Sequence, residues 1–597
     1  MKNIIIIILV CLVIIAGAIF IARITSQPKL EKLLPVSTAA YLYTSDLPFM
    51  KNTLKETVIY KETRDLKIGK LWQSNVRDFY GKMEDHIGFD FRQLEPYFKK
   101  DAAFAVLEFG KVKKDVLFVF LANVKDTRKD LNKYIEEKLK PQLQSQGYKI
   151  TSKNFKGSDY YVVAHDKPLC CYAFFEKAFI FAPREEVLLQ IINLQKNKGK
   201  TLKDDEGFKN VTGKLSYENG LLAYVDITKI LVPFDEKLKL EKKEKRFINL
   251  FKLMGIGSLD CFALTSSIEE GGFRSRSYLQ MKKDVPGLMQ IVLKQKPRKI
   301  KSPKYIPRGF PLVNIGAYNN PSQIWDNLLA QLSEISPPEQ FKKFRDRISA
   351  AEKLLNLDFK RDIFDCLGNE MAFCAQLTKS ESPSEIKGPL EILEKGSFLL
   401  FIEVKKAKKF SEFLERIMAA GNLYLQLTQQ EEEYKGYKIK YAQGEKISPA
   451  TPCYTFIDEF CLVSPYIESI KNAIDGYQTG KVLDTYADYM RCYGDMENRV
   501  NRVMYVDIGG ILEKTPQLTL NMVLPKELDE QQREVFQREL KQLSKVLFGS
   551  CMVAWVTRDG IMMESFSSAG FIPMLSAKSL LAPFKEKIPS LAQEKKF

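Results

Sequence analysis

Few side chains in this sequence have a type and spacing suited to making or breaking bonds. The most suggestive are two aspartates in a repeated tetrapeptide, Tyr-Val-Asp-Ile at 224–227 and again at 505–508. Asp226 and Asp507 would suit a hydrolase in which two carboxylates, one from each repeat, divide the acid and base roles. Each, however, ends an apolar strand-like run just ahead of a helix-like stretch. A carboxylate there caps the free backbone N–H groups of the helix start, and this is the stronger reading. Asp90 and Asp358, each followed by phenylalanine and a short amphipathic stretch, read as caps for the same reason. The chain has two histidines, His86 in a charged helical stretch and His165 beyond a strand end. Neither has a counterpart in the other half of the chain, and both read as surface residues.

Ten cysteines (Cys11, Cys170, Cys171, Cys261, Cys366, Cys374, Cys453, Cys461, Cys492 and Cys551) include no C-x-x-C pair. A zinc site needs four converging ligands, usually at short paired spacing, so these cysteines read as small buried hydrophobes. No G-x-S-x-G elbow and no phosphate-binding G-x-x-x-x-G-K-[ST] loop occurs. Gly255-Ile256-Gly257 precedes a strand, the reverse of a dinucleotide-binding turn. No catalytic, cofactor-binding or metal-ligating residue is therefore assigned, no cofactor is expected, and the chain reads as a non-enzyme.

The 597 residues suffice for several domains. With 45% hydrophobic and 28% charged residues, the chain is neither disordered nor a polytopic membrane protein. The net charge of +17 rests on 70 Lys and 21 Arg. Lysine is a point charge without the fork that reads bases and phosphates, and many of these lysines alternate with glutamate, as at 236–246. That pattern describes solvated helix faces and disfavours nucleic acid as a partner. Residues 4–22 are uncharged and rich in Ile, Val and Leu. At 1.5 Å per residue this run nearly spans a ~30 Å hydrocarbon core. It reads as a transmembrane signal anchor behind a tail at 1–3, placing the chain in a bacterial inner membrane with its bulk extracytoplasmic; a cytoplasmic-facing or cleaved, secreted form is the alternative.

What positions these residues is a duplication. Leu34-Pro35 matches Ile306-Pro307, Cys171–Phe174 matches Cys453–Phe456, Lys156-Gly157 matches Lys435-Gly436, and Tyr224–Ile227 matches Tyr505–Ile508. The order is kept while the offset drifts, as loop insertions require. The period is far too long for a solenoid. The expected organisation is a first copy at 33–293, a basic linker at 294–304 with two prolines and no acid, a second copy at 305–572, and a tail at 573–597. Paired strand runs joined by short turns, with amphipathic helices between them, give an α+β class. In each copy an antiparallel sheet with packed helices follows the transmembrane helix. Asp126 is expected to cap a helix carrying Leu131, Tyr134, Ile135 and Leu139. Hairpins are expected to turn at Glu270–Gly272 and Asp559-Gly560.

The apolar leader, the run Leu-Pro-x-x-Thr-x-x-Tyr-Leu at 34–42, the Asp46-Leu47 helix start and the Ala-rich strand at 102–107 together resemble a family of uncharacterised bacterial envelope proteins. The resemblance covers most of the chain, once per copy. The second copy departs from it, with Arg308-Gly309-Phe310 at its opening and no aspartate matching Asp46. It implies no known catalytic residues. The expected function is a single-pass anchored envelope protein acting as a non-enzymatic binding or scaffold module. Its partners would be the membrane, through the N-terminal helix, and a protein, polymer or lipid. The alternatives are a carrier of lipid or another hydrophobic ligand, and a hydrolase using acidic residues between the copies.

Overall fold

The structure is a computed structural model of the chain. It describes residues 30–70, 73–74, 77–78, 81, 84, 89–109, 116–165, 168–215, 220–230, 253–283, 285–377, 396–425, 428–443, 452–514 and 529–570. They form antiparallel sheets with packed helices, an α+β fold. The transmembrane helix that the expected fold placed ahead of these sheets finds no support. Among the described residues no helix is long and apolar enough to cross a membrane. The two longest, Pro338–Leu355 and Ala407–Leu425, fail because charged residues recur along both, for example Lys342, Arg345 and Asp346 in one and Lys408, Glu412 and Arg416 in the other. Residues 4–22, where the span was expected, lie outside the described residues.

The described residues fall into two compact units. The first draws on Met1–Asn52, Ser74–Lys237 and Cys261–Thr265, and the second on Thr53–Gln73, Leu238–Asp260 and Ser266–Phe597. In the first unit the strands are β1 (Ala40–Thr44), β2 (Ala102–Phe109), β3 (Val116–Asn123), β4 (Lys149–Phe155), β5 (Ser158–Ala164), β6 (Pro168–Phe175), β7 (Ala178–Ala182) and β8 (Leu221–Asp226). Their order across the sheet is β8-β1-β2-β3-β7-β6-β5-β4, every pair antiparallel. Strand β9 (Leu259–Glu269) gives its middle residues to the first unit and both ends to the second.

The second unit contains β10 (Gly272–Met281), β11 (Arg298–Lys299), β12 (Leu312–Ala317), β13 (Leu367–Leu377), β14 (Gly396–Val404), β15 (Thr428–Tyr434), β16 (Tyr437–Gln443), β17 (Cys453–Ile457), β18 (Phe460–Ser464), β19 (Arg499–Val500), β20 (Arg502–Val506), β21 (Ser550–Val556) and β22 (Gly560–Ser567). Strands β20-β12-β13-β14-β18-β17-β16-β15 repeat the first unit's order. The sheet then continues from β20 through β21 and β22 to β10. The basic segment 294–304 is built into this unit. Arg298 and Lys299 pair with β19, and buried Ser302 donates its N–H to Glu370 Oε1 at 2.6 Å.

The repeat extends to single contacts. Pro35 bridges Thr201 as Pro307 bridges Val482. The Cys171 thiol donates to the Ala182 carbonyl at 3.3 Å as Cys453 does to Ser464 at 3.2 Å. The expected turn at Glu270–Gly272 forms, with positive φ at Glu270 and Gly271, and the matched pairs Lys156-Gly157 and Lys435-Gly436 also all have positive φ, the geometry a tight hairpin demands.

Helices cover both faces of the sheet's middle. In the second unit Phe460 and Leu462 of β18 pack with Ile470 and Ile474 of helix Ile467–Thr479. Cys461, between them and so on the opposite face, packs with Phe410 and Phe413 of helix Ala407–Leu425. This is why β7, the equivalent strand of the first unit, is buried at all five residues and apolar throughout. The outer strands β4 and β15 are mostly exposed and polar. Their Lys149, Lys153 and Glu431–Glu433 discourage pairing with another chain at a bare edge.

Candidate functional site

The residues singled out from sequence are occupied locally. Asp226 ends β8. Its Oδ1 accepts the Lys229 N–H at 3.1 Å and the Thr228 hydroxyl at 2.6 Å, and its Oδ2 meets Lys229 Nζ at 2.8 Å. Burial would push this carboxyl up, but the hydrogen bonds from Lys229 and Thr228 outweigh it and hold the group below the usual carboxylate range. Asp507 Oδ1 accepts the Gly510 N–H at 2.8 Å. Both are caps, on different units, as are Asp90 on the Arg92 N–H (2.9 Å) and Asp358 on the Arg361 N–H (2.8 Å). Asp126 does not cap as expected. The helix starts at Arg128 with Thr127 ahead of it, and the Asp126 carboxylate pairs with Lys100 Nζ at 2.6 Å. The helix itself has the predicted buried positions Leu131, Ile135 and Leu139.

His165 is exposed and lies edge-on to the Tyr148 ring at 5.4 Å. His86 and Cys11 lie outside the described residues. The other nine cysteines form no disulfide and are buried. Burial raises the Cys170, Cys453 and Cys492 thiols to about 12, which makes them poor nucleophiles. Among the described residues no group of three or more His, Cys, Asp or Glu is arranged to hold a metal ion.

The feature that sequence reasoning missed is a cleft of about 570 Å³ in the first unit. Its floor is the cross-strand pair Tyr161 and Tyr172, opposite each other on β5 and β6. Their rings stack at 4.8 Å, with planes 14° apart. Phe174, two residues further along β6, lies on the same face. One wall is the helix that follows β3, which presents Asn132 and Glu136 one turn apart. The rim is the β4–β5 turn, with Ser158 and Asp159, and the β6–β7 turn, with Glu176. Arg128 closes one end. Its guanidinium lies 5.3 Å from the Phe174 ring centre and donates to the Glu176 carbonyl at 2.8 Å.

The wall helix is irregular at this point. Residues Ile135–Leu139 form a π turn, with the Lys140 N–H reaching the Ile135 carbonyl five residues back. Pro141 supplies a reason: it has no N–H to give to the carbonyl four residues earlier and crowds that turn. The equivalent helix of the second unit, Ala407–Leu425, contains no proline and is α-helical throughout. Wide turns of this kind recur beside functional sites.

The second unit shows what the same place looks like when closed. Lys440 stands opposite Tyr454 in the β16–β17 ladder, as Tyr161 stands opposite Tyr172. Lys440 Nζ pairs with Glu415 Oε1 at 2.5 Å, and the Ser411 hydroxyl lies 3.2 Å from the Tyr454 hydroxyl. Glu415 and Ser411 hold the helix positions of Glu136 and Asn132. In the first unit Glu136 turns instead to Lys140, at 2.9 Å. One change, Lys to Tyr at the register-matched strand position, removes the ion pair that spans strand and helix in the other copy.

A family model described as "Protein of unknown function (DUF3352)" matches residues 4–388 and again 339–544. The chain belongs to this family. The two overlapping matches agree with the two copies visible in the strand order. A search of curated proteins finds no match. Among solved structures, crystal form III of TP0453 aligns at a TM-score of 0.23 with 11% identity, over 45% of this chain and 89% of that one. Crystal form I aligns at 0.23 with 10% identity, over 44% and 81%.

Proposed function

We propose that the chain is a non-enzymatic binding protein whose first copy carries the binding site, in the cleft over Tyr161 and Tyr172, while the second copy serves as its closed, structural counterpart. The supporting observation is the contrast at one register position: a half-buried Tyr161 lining a cleft in one copy and a Lys440–Glu415 ion pair in the other. Aromatic walls with a few converging polar groups are the usual makeup of a small-molecule site, and the volume lies within the roughly 300–1,000 Å³ typical of such sites. Asp226 and Asp507 give no support to the hydrolase alternative, since each is engaged with the backbone of its own cap. The exposed Asn132, Glu136 and Asp159 on the walls and rim argue against a carrier that encloses an acyl chain. We also propose an extracytoplasmic location for this body, supported by the apolar run at 4–22. A reporter fused after Phe597 and active only outside the cytoplasm tests it.

The binding reading is tested by a ligand-observed NMR fragment screen of the full chain and of Tyr161→Lys, which places an ammonium where Glu136 can pair with it. Hits that bind the native chain and vanish in a variant of unchanged melting temperature are the expected result. Hits indifferent to the substitution, or no hits at all, would refute the assignment of the site.

A further inference from the structure

Resting on the reading of the cleft as a binding site, we propose that its ligand is a neutral carbohydrate, a short chain of hexopyranose units. A pyranose ring is amphiphilic in a specific way. Its axial C–H groups form an apolar face that stacks on an aromatic ring, while its equatorial hydroxyls point outward and both donate and accept. The cleft offers the complement of each. Tyr161 and Phe174, both half-buried, lie with buried Tyr172 on one face of two adjacent strands; Tyr161 stacks on Tyr172 through one ring face and offers a sugar the other. Around that floor stand groups that donate, accept or do both: the Asn132 amide, the Ser158 hydroxyl and the Glu136 and Asp159 carboxylates.

The charges weigh against an anionic or strongly cationic ligand. A phosphate or sulfate group calls for cations with uncommitted donors. The two cations at the cleft are Arg128 and Lys196. Arg128 already lies over Phe174 and donates to the Glu176 carbonyl, which leaves exposed Lys196 to meet an anion alone. Against them stand Glu136, Asp159 and Glu176, so the lining repels an anion on balance. A strongly cationic ligand would displace Lys140 from Glu136 and compete with Asn154, whose amide donates to Asp159 Oδ1 at 2.6 Å. A neutral polyol donates its hydroxyls to these same carboxylates without displacing either donor, because each carboxylate has lone pairs left over. The closed copy lacks both halves of this recognition. Lys440 replaces the stacking ring at position 161, and Glu415 is held by it.

Isothermal titration of the full native chain with maltotriose and chitotriose, two neutral trisaccharides that differ in ring substituents, tests the proposal, with inorganic phosphate and a hexaarginine peptide as charged controls. Saturable binding of at least one trisaccharide is expected, weakened at least tenfold in Tyr161→Lys and Asn132→Ala and kept within threefold in Tyr161→Phe, which retains the ring. The Phe variant separates stacking from loss of fold. Binding of phosphate or of the peptide at this cleft, with neither trisaccharide bound, would overturn the carbohydrate assignment while leaving the site intact. Trisaccharide binding that Tyr161→Lys leaves unchanged would overturn it too. If the fragment screen also shows no occupancy, the site itself falls, so the two failures are told apart.

Discussion

Asp101 should make the first unit less stable as pH rises, and its amide replacement should abolish the effect. The residue precedes β2 and is almost fully buried, and its Oδ1 accepts the Asn123 side-chain amide at 2.8 Å. Asn123 is oriented from its other end, where its Oδ1 accepts the Lys125 N–H at 3.0 Å. Burial dominates and pushes the Asp101 carboxyl to about 6, with the Asn123 hydrogen bond opposing it. The folded chain therefore holds this proton more tightly than the unfolded chain, whose aspartates titrate near 3.9. Stability is greatest while both states are protonated, falls as pH rises from about 4 to about 6, and levels off above that. Each tenfold difference in proton affinity corresponds to about 1.4 kcal/mol, so the loss amounts to about 3 kcal/mol, or roughly 100-fold in the opening equilibrium. Asp101→Asn keeps the shape and a hydrogen bond to Asn123 and removes the titration. Hydrogen exchange by mass spectrometry on peptides covering β2 and β3 reads the local opening equilibrium. The variant-to-native protection ratio at each pH cancels the intrinsic exchange rate and the other titrating groups. It should be near one at pH 4 and rise toward 100 by pH 7. A ratio that stays flat across this range would refute the argument.

Glu564 is 2% exposed between Arg274 Nη1 and Arg276 Nη2, each at 3.3 Å. Glu564→Ala removes the buried carboxylate from between the two guanidiniums, of which Arg274 keeps Glu269 Oε2 at 2.9 Å, and should destabilise the second unit by about 2 kcal/mol; a denaturant midpoint equivalent to less than 1 kcal/mol of change would count against this. Gly560 opens β22 where an added Cβ would run into the Leu279 carbonyl oxygen and the Tyr278 ring. Gly560→Ala should therefore lower stability by about 2 kcal/mol or more, and an unchanged melting temperature would show that the β10–β22 ladder yields easily. The nine described cysteines are buried and several carry raised thiol pKa values. A thiol reagent at pH 8 should modify fewer than one of them per native chain within minutes and all of them after unfolding; rapid native labelling would contradict the burial.

Much of this architecture was legible because it depends on contacts close in sequence. Lys156-Gly157 and Lys435-Gly436 mark hairpins because a two-residue turn needs positive φ at both positions. Asp226, Asp507, Asp90 and Asp358 mark caps because a carboxylate reaches N–H groups only two or three residues ahead. Asp126 misled for the converse reason. The residue after it, Thr127, takes the place ahead of the helix, while a lysine 26 positions upstream claims the carboxylate. The anchor expected at 4–22 lies outside the described residues, and the helices that are described keep charge along their length.

The sequence by itself determined the repeat, the pairing of neighbouring strands, the turns and the caps, since each is specified within a few residues or by comparing one half with the other. Tertiary structure alone decided which residues face each other across unlike elements. Nothing in the segment around Tyr161 says that a helix beginning at Arg128 passes over it, or that a Lys at the matching position of the other copy finds Glu415 across the same gap. Aromatic residues on strands look alike in sequence whether a helix buries them or leaves a cleft above them. The difference lies in side chains 25 residues apart in sequence and brought within a few ångströms in space, an interaction that local pattern cannot encode.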